Sequence, residues 1–104
     1  MIRVAIVGAA GRMGRILLAQ VLQDPALSLS AALEHSQHPL LGQDAGLLAG
    51  EEACGVVLSS DVELALAESD AAIDFSAPAA SLAFAEKAAA AGVSVVIGTT
   101  GLNA

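Results

Sequence analysis

Residues 2–7, IRVAIV, are apolar at every position except Arg3. Near-continuous apolarity over so short a run predicts a strand buried on both faces, as in a parallel sheet. Glycines 8 and 11 break the run. From residue 12 to 23, Met13, Ile16, Leu17 and Val21 recur at helical spacing, with Arg12, Arg15 and Gln23 elsewhere, which predicts a helix whose core face is the first set. Asp24-Pro25 ends it, because a residue before proline avoids the α region. Residues 27–33 (LSLSAAL) alternate and predict a second strand. Pro39, Gly42, Gly46 and Gly50 mark residues 38–50 as a long loop with room for one helical turn. A short strand at 56–58, a short helix at 61–68 and a strand at 71–75 follow. Residues 78–91 are alanine-rich, opened by Pro78, which a helix start tolerates, and stopped by Gly92. Residues 93–97 form a fifth strand, closed by Gly98-Thr99-Thr100-Gly101.

Strands alternating with helices predict an α/β fold with a parallel sheet. Right-handed crossovers give the strand order 3-2-1-4-5. The length of 104 residues allows one domain, residues 1–104. A complete doubly wound sheet usually carries a sixth strand. The chain is therefore read as truncated after the fifth, leaving VSVVIG as an exposed apolar edge.

Composition narrows the function. The chain is 56% hydrophobic, with two Phe and no Trp or Tyr, so no aromatic platform for base stacking is expected. Four Lys and Arg against eleven Asp and Glu give a net charge of −7, which repels phosphate backbones and argues against nucleic acid as a partner. An anionic ligand must then be gripped locally, by oriented backbone amides and a helix N-terminus. Cys54 is the only cysteine, so no intrachain disulfide forms. Neither a signal peptide nor a membrane-length apolar stretch is read, and a cytoplasmic location fits. Two histidines and one cysteine show no metal-ligand spacing, so no metal site is expected.

The strongest chemical signal is Gly8-Ala9-Ala10-Gly11-Arg12-Met13-Gly14, between the first strand and first helix. That placement gives a glycine pattern its meaning, although the spacing here is G-x-x-G-x-x-G. Gly8 permits the sharp turn, Gly11 lets backbone approach a pyrophosphate, and Gly14 lets the helix pack against the sheet. The fold class is thus a Rossmann-type doubly wound sheet. Glu34 ends the second strand, where an acid accepts the hydroxyls of an adenosine ribose. The bland reading of Glu34 is a solvated loop carboxylate. His35 and Arg12 permit a 2′-phosphate, so NADH and NADPH both remain open as cofactors. His38 is read as an ordinary surface histidine. Phe75, with Asp74 before it, and Gly98, Thr99 and Thr100 lie at the C-terminal ends of strands four and five, the edge where open α/β sheets bind ligands. Core packing for Phe75 and plain turn chemistry for the glycines and threonines are the alternatives.

The segments VAIVGAAGRMGR, AALEH, LLGQDAG, AIDFSAP and VVIGTTG, in this order, resemble the 4-hydroxy-tetrahydrodipicolinate reductase (dihydrodipicolinate reductase) family of bacterial lysine biosynthesis. The resemblance implies nicotinamide-dependent reduction of a cyclic unsaturated dicarboxylate to tetrahydrodipicolinate. It places Gly8, Ala9, Ala10, Gly11, Arg12 and Met13 on the pyrophosphate, Glu34 on the adenosine ribose, and Gly98, Thr99 and Thr100 on the nicotinamide side. The position that is basic in some members is His35 here. The resemblance also assigns a His-His pair, a lysine and a Pro-Ser-Gly-Thr segment to a second, substrate-binding domain through which a homotetramer forms. None of these occurs in the sequence, and Lys87 stands apart on a helix. No catalytic residue and no turnover are therefore expected from this chain alone. A non-catalytic NAD(H)-sensing module, a fragment of another NAD(P)-dependent dehydrogenase and an interaction module are the other readings that the residues leave open.

Overall fold

Two apolar faces on one short strand set the architecture. The computed structural model describes residues 1–75 and 78–98, the latter without the side chains of residues 78–80. β1 (Ile2–Val7) sends Val4 and Ile6 into one core and Ala5 and Val7 into another, on opposite sides of the sheet. Successive strand residues point to opposite faces, so a strand covered on both sides must be apolar throughout. The chain continues through α1 (Arg12–Gln23), β2 (Leu27–Leu33), α2 (Ala45–Leu48), β3 (Leu58–Ser59), α3 (Val62–Glu68), β4 (Ala71–Asp74), α4 (Pro78–Ala91) and β5 (Ser94–Ile97). All strand pairs are parallel, in the expected order β3-β2-β1-β4-β5. The sheet is of the Rossmann type. Leu18 and Val21 of α1 pack on the first face with Leu29 and Leu58. Ala65 and Leu66 of α3 and Phe84 and Ala88 of α4 cover the second.

The buried side of α1 differs from the one its apolar spacing predicts. Gly14, Leu18 and Val21 are buried, whereas Met13 and Ile16 are 44% and 49% exposed. Hydrophobic spacing gives glycine no weight, yet Gly14 lies against the Gly8 and Ala9 backbone, where a Cβ would collide, and this close approach orients the helix.

β2 departs from simple alternation. Its register with β1 shifts between Val4 and Ala5, so Val4 pairs with Leu29 and Ala5 with Ala31, which leaves Ser30 as a bulge. Leu29 then faces the α1 core, but Ala31 and Leu33 face the α3/α4 core. The bulge exchanges the two faces midway along the strand.

The third strand begins at Leu58 rather than Val56. The loop before α2 takes the earlier residues: Asp44 and Val57 form an antiparallel bridge, and Ala45 N–H donates to the Val56 carbonyl at 2.8 Å. β4 stops at Asp74 and β5 starts at Ser94, each one residue inside its predicted bound. Asp61 caps α3 by accepting from Leu64 N–H, and Gly92, at φ 75°, ends α4. Val96 on β5, the edge strand of the described sheet, is 65% exposed. Among the described residues, no helix is long and apolar enough to cross a membrane.

Candidate functional site

The turn out of β1 is built by glycine geometry. Gly8 adopts φ 79°, a left-handed conformation that side chains disfavour. Its N–H and that of Ala9 both donate to the Leu33 carbonyl, at 2.9 and 3.1 Å, which ties the turn to the end of β2. Gly11 N–H donates to the Gly8 carbonyl at 3.1 Å and closes the loop. Arg15 reaches back from α1, its Nε donating to the Ala10 carbonyl at 2.9 Å.

Gly11 is the N-cap of α1 and supplies no side-chain acceptor; no acidic residue stands in the first turn. Arg15 N–H is bonded to the Gly11 carbonyl at 3.0 Å. Helix geometry gives the amides of Arg12, Met13 and Gly14 no carbonyl one turn back. These amides and the helix dipole make a positive end suited to an anion. A Cβ on Gly11 would meet only the Gly8 carbonyl, at 3.4 Å, so its absence leaves a notch above the loop. Arg12 is exposed beside this notch. The donor set fits a diphosphate.

Glu34 lies at the same corner. Its Oε2 accepts from Ala10 N–H at 3.0 Å, and its own N–H donates to the Ser59 carbonyl at 2.9 Å. The bulge at Ser30 contributes to this placement. Ala32 faces the side on which Ala9 and Ala10 pack, and strand alternation carries Glu34 to that side too. Among the described residues the second oxygen of Glu34 has no hydrogen-bond donor, which leaves it for a ligand hydroxyl.

A cleft of about 500 Å³ opens from this corner along the C-terminal edge of the sheet. Gly8, Gly11, Glu34 and His35 form one side. Val62 of α3, Phe75, and Phe84 and Lys87 of α4 form the other. The walls are mostly aliphatic and aromatic, with few polar groups, as in sites that hold a flat ring and fix it by one or two hydrogen bonds. Phe75 follows β4, its N–H donating to the Val7 carbonyl at 2.9 Å. A Cβ on Gly98 would collide with the Phe75 ring, so this glycine lets the ring lie over the end of β5. Thr99 and Thr100 lie outside the described residues.

The structure thus gathers Gly8, Gly11, Glu34, His35 and Phe75 around one cleft, with Ala9, Ala10, Arg12 and Met13 in its rim loop and helix start. Three features were missed by sequence reading. Arg15 clamps the loop, which a basic residue one turn into the helix could have suggested. Lys87 lines the cleft and pairs with Glu63 at 3.2 Å, although it stands far from Glu34 in sequence. Its spacing from Phe84, on one side of α4, was the available signal. Third, the turn after β2 brings Glu34, His35 and His38 together, a proximity that the spacing of the two histidines did not suggest. One ligand atom from each of Glu34, His35 and His38 lies within 4.8 Å of the others.

The sequence matches the family model described as dihydrodipicolinate reductase, N-terminus, over residues 2–104. It is 52% identical over 100 residues to the 4-hydroxy-tetrahydrodipicolinate reductase of Cupriavidus necator, covering 96% of this chain and 37% of the relative. The enzyme of the same name from Roseobacter denitrificans is 48% identical over 101 residues, covering 97% and 37%. The chain therefore spans little more than a third of the length of the curated relatives it matches. Among solved structures, a Candida albicans aspartate semialdehyde dehydrogenase with NADP superposes with a TM-score of 0.76 at 15% identity, over 97% of this chain and 30% of that one. This likeness concerns the fold. A UDP-N-acetylglucosamine 3-dehydrogenase from Acidithiobacillus ferrooxidans gives a TM-score of 0.66 at 27% identity, over 92% of this chain and 28% of that one.

Proposed function

The chain belongs to the dihydrodipicolinate reductase N-terminal family, and from that premise we propose that it is the NAD(P)H-binding portion of a 4-hydroxy-tetrahydrodipicolinate reductase. The observation that carries the reading is the hydrogen bond from Ala10 N–H to Glu34 at 3.0 Å, which joins the glycine loop and the acid of β2 in one corner. A dinucleotide needs both there, amides for its diphosphate and a carboxylate for its ribose.

In this reading the loop Gly8, Ala9, Ala10 and Gly11 shapes the seat of the diphosphate, the amides of Arg12 and Met13 at the start of α1 donate to it, and Arg12 adds a guanidinium. Glu34 accepts the adenosine ribose hydroxyls, and the cleft between Glu34 and Phe84 takes the adenine. Arg12 and His35 admit a 2′-phosphate, so both NADH and NADPH are accepted. Phe75, Gly98, Thr99 and Thr100 form the nicotinamide side. The bound cofactor supplies a hydride for reduction of a cyclic unsaturated dicarboxylate to tetrahydrodipicolinate, in lysine and diaminopimelate biosynthesis. The residues of this chain bind and orient the donor and keep water from one face of it. Positioning the substrate and donating a proton are separate requirements. The His-His pair, lysine and Pro-Ser-Gly-Thr segment tied to them by resemblance do not occur in this sequence. Turnover by the chain alone is not expected, and the homotetramer is assigned to the longer protein. A cytoplasmic location accompanies the reading.

NADH itself reports binding, because its dihydronicotinamide absorbs and emits at longer wavelengths than any protein side chain. Titrating the protein into NADH should raise the coenzyme's fluorescence to saturation, and ADP-ribose, which lacks the nicotinamide, should reverse the rise. No rise, or a rise that ADP-ribose leaves untouched, contradicts the assignment.

A further inference from the structure

The turn after β2 holds a second possibility in the same few residues. Glu34, His35 and His38 present one ligand atom each, all within 4.8 Å of one another. The backbone brings them together: His38 N–H donates to the His35 carbonyl at 3.1 Å, and the two imidazole centroids stand 5.2 Å apart. Leu40 N–H donates to His38 Nδ1 at 3.1 Å, which holds the His38 ring in place on the turn. Glu34 Oε2 is engaged by Ala10 N–H, and among the described residues its other oxygen has no donor.

The geometry points to a Zn²⁺ site formed by Glu34, His35 and His38, which shares Glu34 with the dinucleotide and therefore excludes it. Two imidazoles and one carboxylate are a zinc donor set with a fourth position left for water. Zinc bonds of about 2.0–2.2 Å set tetrahedral ligand atoms roughly 3.3–3.6 Å apart, so the three groups close by about 1 Å on binding. Side chains on a half-exposed turn have the rotamer freedom for that, and zinc imposes no d-electron geometry against it. If Nδ1 of His38 is the ligand, zinc takes the place of the Leu40 N–H. The net charge of −7 favours cations near the surface. Bound zinc withdraws the carboxylate from the ribose and ties His35 down, and by linkage the dinucleotide weakens zinc by the same factor. The exclusion rests on the cofactor reading above; the metal site does not.

The test is calorimetric titration of the full chain with ZnCl₂ in metal-free buffer, with Co²⁺ absorption as a second readout of the ligand set. One Zn²⁺ per chain is expected. His38→Ala, a position outside the cofactor set, should weaken zinc by about tenfold or more, and Cys54→Ser should leave it unchanged. ZnCl₂ at a concentration that just saturates the wild type should raise its Kd for NADH by about fivefold or more and raise that of His38→Ala clearly less. Absence of saturable zinc binding, unaltered zinc affinity in His38→Ala, or loss that follows Cys54→Ser overturns the site. Zinc that binds without moving the NADH affinity overturns the exclusion. If NADH fails to bind the zinc-free chain, the cofactor reading fails instead, and the ZnCl₂ and His38→Ala measurements still decide the metal site.

Discussion

Gly14 packs so tightly on Gly8 that a Cβ at position 14 would strike the Gly8 carbonyl oxygen and lie 2.7 Å from the Ala9 Cα. These are backbone atoms, and they cannot swing aside as a side chain would. Gly14→Ala should therefore push α1 off the β1 turn. Alanine gains about 1 kcal/mol of helix propensity over glycine, but overpacking a tight contact costs about 1–3 kcal/mol or more. The expected outcome is a net loss of stability, read as a lower Tm in thermal unfolding followed by circular dichroism. An unchanged or raised Tm contradicts the packing argument.

Gly11→Ala separates binding from folding. Position 11 has φ −72°, and its added Cβ meets only one oxygen, at 3.4 Å. The variant should fold with a nearly unchanged Tm. Its methyl would project into the notch beside the first helical amides, so NADH affinity should fall by about tenfold or more, the equivalent of about 1.4 kcal/mol. Wild-type affinity in a folded Gly11→Ala protein would remove the diphosphate from this loop.

Arg12→Ala should weaken NADPH more than NADH. A guanidinium offers paired donors to a 2′-phosphate that NADH lacks, and charge-assisted bonds contribute about 1.5–3 kcal/mol. Parallel titrations with the two coenzymes measure the ratio directly. Equal losses would count against a 2′-phosphate contact and leave Arg12 with the diphosphate alone.

Acid should loosen two staples. The Asp44 carboxyl is held down at about 2, against an ordinary 3.8, chiefly by the Cys54 N–H, then by the Gly55 N–H. That of Asp70 is lowered to about 2, first by its hydrogen bonds with the Arg3 side chain and then by the Arg3 N–H. A carboxyl lowered on folding adds stability above its ordinary value, and that contribution disappears as the pH falls toward the folded one. The urea midpoint should thus fall between about pH 4 and pH 2, and fall less steeply in Asp44→Asn. A wild-type slope that Asp44→Asn leaves unaltered would contradict the assignment.

Much of the fold was legible because both faces of the sheet are covered. Continuous apolarity in residues 2–7 and glycines at the ends of elements require little tertiary knowledge. The bounds of α1 and α4 followed from Asp24-Pro25, Pro78 and Gly92 for the same reason. On α1, Gly14 and Val21 were placed against the sheet from the sequence, but apolar spacing also drew in Met13 and Ile16, which the close approach at Gly14 turns toward solvent. The start of β3 moved because Val56 and Val57 bond to the loop before α2, a pairing that local sequence does not encode. The register slip at Ser30 was hidden for a related reason: alternation in LSLSAAL looks the same with or without a bulge. At the site, Glu34 and the glycine loop were readable from spacing. Lys87 and the meeting of His35 with His38 depend on how α4 and one turn fold back, and spacing alone did not give them.

The most direct measurement is calorimetric titration of NADH into the wild-type chain and into Glu34→Ala. The account predicts one site in the wild type, with a Kd on the order of micromolar, weakened about ten- to a hundredfold in the variant by loss of a charged acceptor. No heat with the wild-type protein, or equal affinity in the two, would contradict it.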